Sequence, residues 1–192
     1  MKDKKYIMLK ILAIACLCIL FFSIVCLITS FPYRPKPEPI TISTSSADEA
    51  AELFGDDLPL RQFAEIDGGN GTARYTLTLT DERSTLDDRA GWRYLEAYNY
   101  GDGFVCRMTI AFNGRIPWGD ITGKTEINGH TVRYRLEPPA AGTDTGGVFS
   151  AAFDRDGSKY IFSYTYKAAA DAPDDTEDYD EAWQALYTLL GD

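Results

Sequence analysis

The chain has 192 residues and a formal net charge of −10, and from residue 39 onward 13 Lys and Arg face 27 Asp and Glu, a balance of −14. That acidity argues against nucleic acid as a partner, because phosphates demand a basic patch, and against the domain lying on anionic lipid. The length suffices for one domain with a core of its own plus an appendage.

The appendage comes first. "MKDKKYIMLK" carries Lys2, Lys4, Lys5 and Lys10, and the nineteen residues from Ile11 to Thr29 carry no charge. A run of this length is close to the roughly 20 residues that cross a hydrocarbon core. A cleaved signal peptide has a shorter apolar region, about 7–15 residues, followed by a small-residue cleavage site. A lipoprotein needs a small-residue box before a cysteine. "AIAC" (13–16) lies too early for that, and "SIVC" (23–26) has Val25 where a small residue belongs. The expectation is an uncleaved single-pass transmembrane helix over 11–30, with residues 1–10 as a cytoplasmic tail and the C-terminal domain outside the cell membrane, as the positive-inside rule requires. The N-terminal helix thus makes the membrane a partner. "FPYRPKPEPITISTSS" (31–46) packs four prolines into eight residues and then turns to Ser and Thr. It reads as an extended stalk.

The domain expected over 47–192 contains one cysteine, Cys106, since Cys16, Cys18 and Cys26 lie in the apolar run. No internal disulfide can form there. "SSADEAAELFGDD" (45–57) predicts a short helix that ends at Gly55, with Ala47, Ala50, Ala51, Leu53 and Phe54 available for burial. "LPLRQFAEIDGGNG" reads as a strand and a Gly-rich turn. "TARYTLTLT" (72–80) alternates, with Ala73, Tyr75, Leu77 and Leu79 on one side. "WRYLEAYNY" (92–100) sets Trp92, Tyr94, Glu96, Tyr98 and Tyr100 against Arg93, Leu95 and Ala97. Gly101-Asp102-Gly103 joins it in a hairpin to "FVCRMTIAFN" (104–113), where Phe104, Cys106, Met108, Ile110 and Phe112 share a face. Asn128-Gly129 marks a second hairpin inside "KTEINGHTVRYRLEP" (124–138), because its two-residue turn needs positive φ at both positions. "GVFSAAF" and "SKYIFSYTY" follow, the latter with Tyr160, Phe162, Tyr164 and Tyr166 on one face. In "DDTEDYDEAWQALYTLLGD" the positions Tyr179, Ala182, Trp183, Leu186 and Leu190 form a helical stripe, with acids at the N-terminal end and Gly191 as the stop. The expected fold is α+β: an antiparallel meander sheet with a short N-terminal helix and a packed C-terminal helix.

Few residues suggest chemistry. Asp154 and Asp156 in "DRDGS" are the calcium candidates. A calcium loop needs a third acid at the right spacing and a later Glu, whereas a hairpin with Gly157 left-handed accounts for the stretch. The acids of 171–181 read as a solvated helix start. His130 sits at a turn with no second ligand candidate, and Cys106 reads as a buried thiol. The aromatic stripes Trp92/Tyr94/Tyr98 and Tyr160/Tyr164/Tyr166 suit stacking on sugars, but such stripes are more often the core face of a sheet. No catalytic motif and no cofactor site is present.

"EINGHTVRYRLEP", "FDRDGSKYIFSYTY" and "EAWQALYTLL" together resemble a family of uncharacterised outer domains of Gram-positive, clostridia-like bacteria. These often follow a single membrane helix and sometimes occur in anti-sigma-like proteins. The resemblance covers the last third of the chain, and Phe153 stands where that pattern has Trp. It implies an extracytoplasmic location and a sensing role, and carries over no catalytic residue. The expected function is a membrane-tethered, non-enzymatic interaction or sensing module, with a protein at the cell surface as its candidate partner. The alternative is a glycan-binding or glycan-cleaving protein using paired carboxylates. A cleft lined by aromatics and two acids would favour that alternative.

Overall fold

The computed structural model describes residues 14–23, 38–66, 71–80, 83–112, 119–139, 146–167 and 179–191. They belong to two units, Met1–Pro37 and Glu38–Asp192. In the first, residues 14–23 form helix α1. Its large apolar side chains are exposed, Leu17 at 71%, Phe21 at 70% and Phe22 at 72%, and the Ser23 hydroxyl donates back to the Ile19 carbonyl at 2.8 Å. Among the described residues no helix is long and apolar enough to cross a membrane. The remainder of the span expected over 11–30, the tail 1–10 and the stalk residues 31–37 lie outside the described residues.

The second unit is α+β. Eight strands, β1 (Thr41–Thr44), β2 (Thr72–Leu79), β3 (Trp92–Tyr100), β4 (Phe104–Ala111), β5 (Gly123–Ile127), β6 (His130–Glu137), β7 (Val148–Arg155) and β8 (Ser158–Tyr166), form one sheet. Their order is β1-β2-β3-β4-β8-β7-β6-β5, and every neighbouring pair is antiparallel. Two four-stranded meanders are thus joined through their last strands, β4 and β8. Three helices pack on one face: α2 (Ala47–Phe54), α3 (Leu60–Ala64) and α4 (Asp180–Leu190). Helices α2 and α3 touch β1, β2 and β3, while α4 lies over the second meander, its Trp183 against Tyr134 and Phe149.

Local chemistry explains the elements. Ser46 caps α2 by accepting from the Glu49 amide at 3.3 Å, and Gly55 ends it at φ 113°. Asn128-Gly129 (φ 49°, 79°) and Asp156-Gly157 (φ 49°, 77°) are two-residue turns with both residues left-handed, whose twist suits the flanking strands. The core follows the strand alternation: Tyr75, Leu77, Leu79, Cys106, Met108, Ile110, Tyr160, Phe162 and Tyr164 are buried beneath the helices.

Three expectations need correction. Residues 41–44, read as stalk, form an edge strand, and the Ile40 carbonyl accepts from the Leu79 amide at 2.8 Å. Residues 60–64, read as a strand, are α3, because Leu60, Phe63 and Ile66 recur at a helical spacing and are all buried. The aromatic stripe of β3 is not the core face. Leu95, Ala97 and Asn99 are buried there, and a bulge opposite Thr78 and Leu79 turns Trp92 alone to the core side. Tyr94, Tyr98 and Tyr100 line the opposite face, and Tyr100 is 44% exposed.

Candidate functional site

A concavity lies where the β3–β4 turn, the end of β8, the end of α3 and one flank of α4 converge. It encloses about 880 Å³, and Glu65, Asp102, Phe104, Tyr164, Tyr166 and Glu181 line it. The sheet supplies the floor. Phe104 and Tyr164 are cross-strand neighbours whose rings stack at 4.9 Å and 18°, and Tyr166 packs on Tyr164 at 4.9 Å. The turn can be this tight because Gly101 lets the Phe104 ring fold over it, where a Cβ would sit 2.2 Å from the ring. Lys167 clamps the turn: its amide donates to the Gly103 carbonyl at 2.8 Å and its ammonium to the Gly101 carbonyl.

Three carboxylates from three elements ring this floor: Glu65 after α3, Asp102 in the turn and Glu181 in the first turn of α4. The Tyr164 hydroxyl donates to Glu181 Oε2 at 3.2 Å. Burial first, and the Glu181 charge second, push the Tyr164 phenol well above its ordinary range. It therefore stays a hydrogen-bond donor and positions Glu181. Among the described residues that line this cleft there are three carboxylates and no Lys or Arg, so it favours ligands bearing hydroxyl or ammonium groups.

The uncovered face of the sheet is the second feature. Tyr98 and Tyr100 stack at 6.0 Å and 9°, Arg107 lies over Tyr98 at 5.6 Å, and Arg107 also pairs with Glu96. Among the described residues no helix covers this face.

The residues singled out in the sequence are dispersed. Asp154 is the last but one residue of β7 and pairs with Lys159 at 2.8 Å, while Asp156 occupies the left-handed turn position with Arg155 at 3.6 Å. Their carboxylates serve the hairpin. Among the described residues no group of three or more His, Cys, Asp and Glu is placed to hold a metal ion. Of the acid run 171–181 only Tyr179, Asp180 and Glu181 are described. Cys106 is fully buried beside Asn99, its register partner. Asn99 is itself buried and donates to the Phe63 and Ile66 carbonyls at 3.1 and 3.3 Å, so it fastens the end of α3 to the sheet.

Sequence reasoning missed the cleft. Its aromatics sit in recognisable strands, but its acids come from segments far apart in the chain, and only the fold brings them together. Comparison of the chain with family models, with curated proteins and with solved structures gives no match.

Proposed function

We propose that this protein is a single-pass, membrane-tethered module whose extracytoplasmic domain binds a ligand without transforming it, and thereby senses or docks it. The observation that carries this reading is the aromatic-floored cleft ringed by Glu65, Asp102 and Glu181. Concave sites of a few hundred Å³ with convergent polar groups are the usual form of a ligand site. Tethering is supported by the uncharged run Ile11–Thr29 behind a lysine-rich start. It is also supported by the exposed apolar side chains of α1, which need an apolar medium around them.

A second reading is favoured by the same cleft. Carboxylates gathered over aromatics are also the equipment of a glycan hydrolase, in which one acid protonates the leaving oxygen and another serves as nucleophile or base. One experiment separates the two. The full-length protein in maltoside detergent is incubated with purified cell-wall glycan strands, and both Tm and new reducing ends are measured. Ligand binding without turnover predicts a raised Tm and no new reducing ends, with the Tm shift lost in Glu181→Gln. Reducing ends that form with wild type and vanish in Glu65→Gln or Glu181→Gln would establish the hydrolase. Protease added to intact cells tests the location: a domain that resists digestion there would overturn the outward placement.

A further inference from the structure

A smaller hollow of about 320 Å³ lies beside the β5–β6 turn, away from the acidic cleft, and is lined by Lys124, Gly129, His130, Thr131, Arg133 and Asp154. Lys124 and Arg133 are direct register partners across β5 and β6, so their side chains leave the uncovered face side by side. Like charges placed directly opposite each other destabilise a ladder. Neither cation forms an ion pair among the described residues, in a domain where acids outnumber bases. The nearby carboxylates do not relieve them. Asp154 is held by Lys159 at 2.8 Å, and Glu126, opposite Thr131 on the same face, has no ion pair with either. The His130 ring is fixed at the rim by Nδ1–H donating to the Asp154 carbonyl at 3.3 Å. The Thr131 hydroxyl is exposed, and the space around Gly129 is open.

We propose that this hollow is a binding site for an oxoanion, with a phosphate group as its ligand. A guanidinium presents a planar fork to phosphate oxygens, an ammonium beside it adds a second charge, and a hydroxyl completes the set of donors. The bound anion supplies a counter-charge that no ion pair among the described residues gives the Lys124–Arg133 pair. The phosphate is either free, on a soluble molecule, or carried by a lipid headgroup, and the chemistry of recognition is the same for both.

The test uses the full-length protein in phosphate-free maltoside, with inorganic phosphate as the probe and amide chemical shifts of Lys124, Gly129, Thr131 and Arg133 as the readout. Saturable shifts confined to these residues are expected. Lys124→Glu converts the opposed cations into an ion pair, so it should fold with no loss of Tm while phosphate affinity falls about tenfold, the scale of one charge-assisted hydrogen bond. Arg133→Gln should weaken binding to a similar degree. Reconstitution into nanodiscs of phosphatidylglycerol and of phosphatidylcholine separates the sources. The same shifts in phosphatidylglycerol without added phosphate assign a headgroup, and identical spectra in both lipids assign a soluble phosphate. The site is overturned if neither inorganic phosphate nor phosphatidylglycerol shifts these residues, or if Lys124→Glu responds as wild type does.

Discussion

Tyr75 is fully buried under α3, and its hydroxyl donates to the Leu60 carbonyl at 3.0 Å. Burial pushes its pKa up to about 12, and Tyr160 is raised to about 12 for the same reason. Tyr164 and Tyr179 are also raised, by burial and then by the charges of Glu181 and Glu137. In the unfolded chain a tyrosine ionises near pH 10. The folded protein therefore keeps protons that the unfolded chain releases, so stability is complete below pH ~10 and is lost as pH climbs through the folded values. Base-induced unfolding is expected in that window, with phenolate absorbance and loss of circular dichroism rising together. A smooth rise in absorbance with intact dichroism would contradict it. Tyr75→Phe separates the two contributions of this residue. It should cost about 1 kcal/mol at neutral pH for the lost buried hydrogen bond. That deficit should shrink as pH rises from 10 toward 12, because the phenylalanine has no proton to lose.

At the scale of elements, what the sequence makes legible is what local chemistry decides. Asn128-Gly129 and Asp156-Gly157 announce their hairpins because few residue pairs accept positive φ twice in succession. Asn128 has a second task that spacing does not announce: its side-chain amide donates to the Leu190 carbonyl at 3.0 Å and closes the end of α4. The facing of β3 is illegible, because the bulge that turns Trp92 inward is set by the register with β2. The Ser/Thr-rich β1 likewise looks like linker until β2 pairs with it. Helix α4 is legible from its stripe, yet the stripe places Trp183 at full depth. Ala182, Ala185, Leu186 and Leu189 are buried, whereas Trp183 lies half-buried on the flank, edge-on to Tyr134 at 4.9 Å and Phe149 at 4.7 Å. Trp183→Ala should therefore cost about 2–3 kcal/mol in urea unfolding, below the ~3–5 kcal/mol of a fully buried large aromatic. Trp183→Phe should recover most of that loss. A cost under ~1 kcal/mol for the alanine variant would mean that the ring contacts add little beyond surface cover.

On the scale of the whole molecule, the sheet is two meanders held together by the β4–β8 ladder, each with its own helical cover, and α3 touches α4 where the covers meet. That arrangement puts the cleft at the seam and leaves the other face uncovered. It also makes α4 indispensable to the second meander. Without it Phe149 would lose its ring contact with Trp183 at 4.7 Å and Tyr166 its contact with Tyr179 at 5.9 Å, and Tyr179 would no longer donate to the Glu137 carbonyl at 3.0 Å. Leu186, Leu189 and Leu190 are each at most 3% exposed. Burial of a leucine side chain contributes about 1.5–3 kcal/mol, so the three supply about 5–9 kcal/mol before any ordering cost. Domain stabilities lie at about 5–15 kcal/mol. A chain ending at Lys167 is therefore expected to lose its cooperative thermal transition and to bind a hydrophobic dye at ambient temperature. Loss of the transition should extend to β1–β3, because the β4–β8 ladder couples the meanders, and amide exchange at Leu77 and Leu95 would report it. If the shortened chain keeps the Tm of the full protein, α4 is a detachable docking segment and the cleft loses one of its walls without cost to the fold. If only the second meander loosens while Leu77 and Leu95 stay protected, the two halves fold independently and the ladder between them carries no cooperativity.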